Sequence, residues 1–202
     1  ARGDKRDYST SAYDLHQTHT QLLSNGFSLK EWLATGVWGT EGGHTYMGGF
    51  YKSGVLSPER SDPTWLAYRA KLVARHGEEK TKAIIGLDRF NNLIYPNISV
   101  NAQYQQIRIV QPLAPDRTRI VAMCFRLKDA PEEMYHRAVR FLTNLNSPAS
   151  MIFSDDMEIF ERCQRGFASE QRDWIDLSRG VGRERKLDAG TLEADGTSEV
   201  AM

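Results

Sequence analysis

Two β-rich runs, Gln105–Gln111 and Thr118–Leu127, are joined by the turn cluster Pro112-Leu113-Ala114-Pro115-Asp116-Arg117. That spacing constrains the chain more than any other feature, because strands joined this way meander antiparallel. In the last run Arg119, Val121, Met123, Phe125 and Leu127 share one face, while Ile120, Ala122 and Cys124 share the other. Both faces are largely apolar, which predicts a strand in the middle of a sheet with cover on both sides. Another β-rich run, Asn92–Val100, precedes them. Earlier still, the runs Leu33–Trp38 and His44–Tyr51 flank Gly39-Thr40-Glu41-Gly42-Gly43, whose glycines supply the reversal of a β-hairpin.

Helical signals fill the gaps. Asp62-Pro63 sets a cap residue before a proline, and Trp65, Leu66, Arg69, Leu72 and Val73 recur at helical spacing until Gly77. A second helix is predicted over Glu78–Leu87. Pro131 opens another, with Met134, Ala138, Phe141, Leu142 and Leu145 on one stripe, and Ser147-Pro148 ends it. A further helix runs from near Ser154 to about Phe167. Residues 1–30 are polar and broken in pattern, with one short helix near Leu22. The order predicts an α+β fold with flanking and C-terminal helices on an antiparallel sheet. Residues 1–180 are expected to form one domain. Residues 181–202, rich in charge and poor in large apolar side chains, are expected to be a mobile or partner-bound tail.

Composition excludes several functions. Lys and Arg balance Asp and Glu at 26 each, and no cationic stretch is interleaved with aromatics, so nucleic acid and anionic membrane are dropped as partners. No apolar run approaches the roughly 20 residues that span a bilayer, which suggests a cytoplasmic protein. Cys124 and Cys163 stand far apart in apolar-patterned segments and are expected to be buried thiols rather than a disulfide or zinc pair.

The segment Phe153-Ser154-Asp155-Asp156-Met157-Glu158-Ile159-Phe160-Glu161-Arg162-Cys163-Gln164-Arg165-Gly166-Phe167 carries the chemistry. At roughly 100° per residue, Ile159, Phe160, Cys163 and Phe167 fall within an arc of about 100°. Asp156 projects to the centre of that arc, and Asp155 lies near its edge. A carboxylate aimed into an apolar face needs a partner. Two roles satisfy this. Asp156 caps the helix with Ser154 assisting, or it serves a metal or catalytic site.

This segment resembles the one that supplies the carboxylate ligand to mononuclear iron in the large subunits of Rieske-type aromatic-ring-hydroxylating dioxygenases. The phrases Leu93-Ile94-Tyr95-Pro96-Asn97, Gln106-Ile107-Arg108-Ile109-Val110-Gln111-Pro112-Leu113-Ala114-Pro115-Asp116-Arg117-Thr118 and Trp174-Ile175-Asp176-Leu177-Ser178-Arg179-Gly180 are similar to the benzoate-like branch of that family in order and spacing. The resemblance covers roughly residues 35–180. It implies a helix-grip catalytic domain, an antiparallel sheet closed by a long helix. It implies Asp156 as the carboxylate of a 2-His-1-carboxylate facial triad on non-haem iron, with Asn146 and Ile152 lining an aromatic substrate pocket. The activity implied is addition of dioxygen to an aromatic ring to give a cis-dihydrodiol. Electrons then come from NADH through a reductase, with or without a ferredoxin, and a [2Fe–2S] Rieske cluster. A small oxygenase subunit completes a trimer of subunit pairs.

The chain departs from that pattern in ways that mark it as an incomplete large subunit. The family's histidine ligands lie in a Tyr-His-x4-His stretch, and its spacing to the carboxylate puts the second at or before residue 5, where no histidine stands. The Cys-x-His and Cys-x2-His Rieske motif is absent. His16 and His19 could share a helix face and join Asp156, but their setting is polar and lacks the family's aromatic context. His44, His76 and His136 are isolated and read as surface or hairpin residues. Arg108, Arg119 and Arg126 are candidates to pair with a substrate carboxylate, or else are solvated strand residues. Two other readings stand beside the dioxygenase: a non-catalytic helix-grip module that binds a hydrophobic small molecule, and a Rieske monooxygenase relative using the same ligands.

Overall fold

Asp62 begins the first helix as its position before proline requires. In the computed structural model of the chain, its side chain accepts the Trp65 backbone N–H at 3.1 Å and caps α1 (Pro63–His76). Gly77 ends α1 with a positive φ of 79°, which glycine adopts without steric cost, and in the same step opens α2 (Glu78–Ile85). α3 (Glu132–Leu145) follows Pro131 with Glu132 and Glu133 at its positive end, and α4 spans Phe153–Ala168. The structure describes residues 34–51, 60–102, 104–150, 153–169, 174, 176, 178, 180–187 and 191–195. The helix expected near Leu22 and the pair His16 and His19 lie outside them, as does Ile152. No helix among the described residues is long and apolar enough to cross a membrane.

The strands form one antiparallel sheet. β1 (Gly36–Gly39) and β2 (Thr45–Gly48) are the expected hairpin, joined through a 3-10 turn at Glu41–Gly43. β3 (Arg89–Ile94), β4 (Ile98–Asn101), β5 (Gln106–Ala114) and β6 (Arg117–Cys124) follow, and β7 (Arg185–Lys186) and β8 (Leu192–Asp195) complete it. The order across the sheet is β6-β5-β4-β3-β2-β1-β8-β7.

Four expectations are corrected here. The run Asn92–Val100 is not one strand. It reverses at Tyr95-Pro96-Asn97, where the Tyr95–Pro96 bond is cis, and Asn97 Nδ2 donates to the Val110 carbonyl across the next pair. Pro96 has no N–H to give a ladder, so pairing breaks there despite the β-rich flanks. The last meander strand is an edge strand, not a central one, and Ile120 and Met123 on it are exposed. Its two apolar faces signalled a need for cover, which periodicity cannot distinguish from a central position. The turn between β5 and β6 is narrower than its cluster, since β5 continues through Pro112 to Ala114. Finally, the charged segment beyond residue 180 contributes β7 and β8, and β8 pairs with β1 in register Val37↔Ala194 and Trp38↔Glu193. That pairing rests on backbone groups and on partners more than 150 residues away in sequence, so local composition does not reveal it.

The described residues fall into two units. The helical unit holds α1, α2 and α3. Phe141 is its most buried large side chain at 1% exposure, a burial worth about 2–3 kcal/mol. Arg137 of α3 reaches the buried Asp62 at the head of α1 at 3.0 Å. The sheet unit holds β1–β8 and α4 from Asp155 onward. Its core forms where cross-strand neighbours meet, Val37 against Ala194 and Met47. Trp38 stacks on Tyr46 at 4.9 Å and donates from Nε1 to Glu193 at 3.1 Å. Phe50, Phe90 and Tyr104 form a second aromatic cluster, in which burial pushes the Tyr104 phenol far above its usual range. The α+β class read from the sequence is the class observed.

Candidate functional site

Ser150 fixes where the last helix begins. Its buried hydroxyl accepts the Phe153 backbone N–H at 3.2 Å, and its carbonyl accepts the Ser154 backbone N–H at 3.2 Å. The Ser154 hydroxyl also donates to that carbonyl. The capping role considered for Asp156 at this point belongs to Ser150, because α4 starts at Phe153 and Asp156 already lies inside its first turn. Two acidic residues, Asp155 and Asp156, sit in that turn, where the helix dipole favours negative charge.

The two faces of α4 differ as the spacing predicts. Glu158 accepts from Arg162 Nε at 2.8 Å, and Arg165 approaches Glu158 and Glu161, each at 3.7 Å. The Arg162 hydrogen bond and charge, reinforced by Arg165, hold the Glu158 carboxyl below the usual carboxylate range. These charges lie on the side away from Asp156, Ile159, Phe160, Cys163 and Phe167. The expected burial of the apolar side is not observed. Ile159, Phe160 and Phe167 are about half exposed or more, and Asp156 and Cys163 are exposed. Cys163 is therefore not a buried thiol, whereas Cys124 is partly buried and burial raises its pKa. A helical wheel fixes the direction of a side chain but not what packs against it.

Asn146 is the C-terminal cap of α3, half-buried, with its backbone N–H bonded to the Leu142 carbonyl at 2.9 Å. Of the candidate arginines, Arg126 is engaged by Glu132 at 3.0 Å and lies 4.7 Å over the Tyr135 ring. Arg108 is half-buried on β5 and donates weakly to Ser99 Oγ at 3.4 Å, and Arg119 is exposed on the edge strand. His44 is a hairpin residue as expected, with Nδ1 accepting the Tyr95 backbone N–H at 3.0 Å. His136 stands near Glu132 on its own helix, and His76 ends α1. Among the described residues, no three His, Cys, Asp or Glu side chains are grouped to hold a metal. Sequence reasoning missed Ser150, although a serine three residues before a helical phenylalanine is a readable cap signal. It also missed a cleft along α1 and α2, whose residues come together only through helix packing.

Known proteins share the family and fold of this chain. Residues 9–193 match the ring hydroxylating alpha subunit (catalytic domain) family. The chain is 40% identical over 116 residues to the large subunit of 2-halobenzoate 1,2-dioxygenase from Burkholderia cepacia, covering 57% of the chain and 25% of that subunit. It is 31% identical over 176 residues to the alpha subunit of toluate 1,2-dioxygenase from Pseudomonas putida, covering 84% of the chain and 37% of that protein. The chain thus spans between a quarter and two fifths of the length of these relatives. A naphthalene 1,2-dioxygenase mutant bound to phenanthrene shares the fold at a TM-score of 0.63 and 17% identity, over 96% of this chain and 48% of that one.

Proposed function

We propose, for a chain that belongs to the ring-hydroxylating alpha subunit family through its catalytic domain, that Asp156 supplies the single carboxylate of a mononuclear non-haem iron site in a subunit that adds dioxygen to an aromatic ring. The observation that supports this best is the sidedness of α4. Its charged residues pair with each other on one side, and Asp156 stands on the other, in the midst of the apolar residues. A carboxylate so placed is the hard, charged oxygen donor that a 2-His-1-carboxylate site requires. Asp156 suits that role as one ligand of three. The two histidines are proposed to come from outside this chain, whose own pair His16 and His19 lies in a polar stretch.

Iron held there supplies activation of dioxygen beside the ring. The protein's own share is to orient the aromatic substrate and keep water out. We assign substrate contacts to Asn146, at the end of α3, and to Ile152, outside the described residues. The substrates named for the two relatives, 2-halobenzoate and toluate, make an aromatic carboxylate the substrate class proposed here. Arg108 remains a candidate for its carboxylate, and Arg126, held by Glu132, does not. Electrons are proposed to arrive from NADH through a reductase, with or without a ferredoxin, and a [2Fe–2S] Rieske cluster carried outside this chain. The assembly proposed is a trimer of pairs with a small oxygenase subunit, in the cytoplasm.

Turnover of benzoate by the intact subunit with its reductase, in isotopically labelled dioxygen, tests the proposal. Two labelled oxygens in a cis-dihydrodiol are expected. One labelled oxygen in a phenol marks the monooxygenase alternative, and benzoate binding without iron or turnover marks the binding module.

A further inference from the structure

Asp129, in the loop leading into α3, has a left-handed backbone with φ 61° and is tied to α1 at two points. Lys71 Nζ donates to its carbonyl at 3.2 Å, and Arg75 engages its carboxylate. These ties hold the loop against α1. Between α1, Ile84 of α2 and the loop residues Lys128 and Asp129 lies a cleft of about 640 Å³, within the size range of small-molecule sites. All of its lining belongs to the helical unit. Lys71, Arg75 and Lys128 set three cations against the one carboxylate of Asp129, an excess of two positive charges with His76 counted as neutral. Asp129 is committed to Arg75, whereas the Lys128 ammonium has no ion-pair or hydrogen-bond partner among the described residues. Tyr68 in the same lining is buried, and burial together with the Asp129 charge pushes its phenol up, so it stays an O–H donor at neutral pH. Leu72 and Ile84 are the apolar part of the lining, and Ile84 is about half exposed.

We infer that this cleft is a second binding site, for an organic phosphate monoester that sets its dianionic head among Lys71, Arg75 and Lys128 and its carbon chain against Leu72 and Ile84. Charge selects the head. A phosphate monoester carries close to two negative charges at neutral pH and three acceptor oxygens, which match the excess of two, while a monocarboxylate leaves half of it unmatched. The apolar lining selects the tail. Inorganic phosphate would use the cations but leave Leu72 and Ile84 wet, and a neutral hydrocarbon would desolvate the cations without pairing them. The loop is already held by its ties to α1, so little ordering is left for the ligand to impose. None of the lining residues lies on α4, so the site stands apart from the iron reading and is tested separately. Water-accessible cations imply weak, salt-sensitive binding.

The test is calorimetric titration of n-butyl phosphate, inorganic phosphate and pentanoate into the full-length protein, as wild type, Lys128→Gln, Lys128→Glu and Ile84→Ser. Saturable binding of butyl phosphate is expected. It should weaken about fivefold or more in Lys128→Glu, less in Lys128→Gln, and also on raising salt. Ile84→Ser should weaken butyl phosphate and leave inorganic phosphate unchanged, and both inorganic phosphate and pentanoate should bind the wild type more weakly than butyl phosphate. The inference is overturned if butyl phosphate shows no saturable binding, if both lysine variants or Ile84→Ser bind it as the wild type does, or if pentanoate or inorganic phosphate binds equally well. Lys128 and Ile84 are accessible at the surface, so unchanged circular dichroism in their variants keeps the comparison free of misfolding.

Discussion

Arg137 on α3 and Asp62 ahead of α1 meet at 3.0 Å, and the same Asp62 oxygen accepts the Trp65 backbone N–H. Arg137 also reaches Thr64 Oγ1 at 3.4 Å and Glu133 at 3.1 Å. One carboxylate therefore starts one helix and ties down another. Its side chain is nearly inaccessible, so its charge depends on Arg137 for compensation. Asp62→Ala should cost about 2–3 kcal/mol, the loss of a cap together with the loss of the buried ion pair to Arg137. Asp62→Asn, which keeps the cap acceptor, should cost less. Urea denaturation of the two variants checks this: equal costs would show that the cap acceptor contributes nothing, and a cost-free Asp62→Asn would show the same of the ion pair.

Acid sensitivity should run through Glu133. Hydrogen bonds from Arg137 and Arg140 hold its carboxyl below the ordinary value of 4.5. A group whose pKa is lowered on folding contributes stability that is present above its unfolded pKa and lost as pH falls through the folded one. Stability should therefore decline as pH drops below about 4.5, and Glu133→Gln should flatten that decline. Thermal melts of both proteins across this range provide the measurement. Parallel curves would remove Glu133 from the account.

Gly48 is fixed by proximity. A β-carbon there would lie 2.2 Å from the Asp88 carbonyl oxygen, at the point where the β2–β3 register shifts. The obstacle is backbone and cannot swing aside, so Gly48→Ala should cost about 2–3 kcal/mol. Gly166→Ala on α4, where a β-carbon meets nothing within 4 Å, should be neutral or stabilising. Chemical denaturation of the pair tests the contrast.

The two cysteines should differ in reactivity. Cys163 is exposed, while Cys124 is partly buried with its thiolate disfavoured. Timed alkylation of this chain followed by peptide mapping should find Cys163 modified first. The opposite order would mean that α4 is covered in solution.

What could be read in the sequence follows the range of the interaction involved. α1 was legible almost to the residue because aspartate, proline and glycine act within one turn of where they stand. The β1–β2 hairpin and the β5–β6 meander were legible because turns are local. The Tyr95–Asn97 reversal was hidden inside a β-rich run, and β8 was hidden in a charged one, since its strand character comes from pairing with β1. The edge position of β6 was misread because apolarity on both faces reports on cover and not on neighbours. For the site, helical spacing placed Asp156 on the side of α4 away from the Glu158–Arg162 pair. Its exposure lay beyond reach, since that depends on what packs against α4.

The central claim is that Asp156, and not the adjacent Asp155, holds iron. The most direct measurement is the iron content of the full-length subunit as wild type, Asp156→Ala and Asp155→Ala, each with folding checked by circular dichroism. Loss of iron in Asp156→Ala with retention in Asp155→Ala is the predicted result. Iron retained in Asp156→Ala at the wild-type level would contradict it.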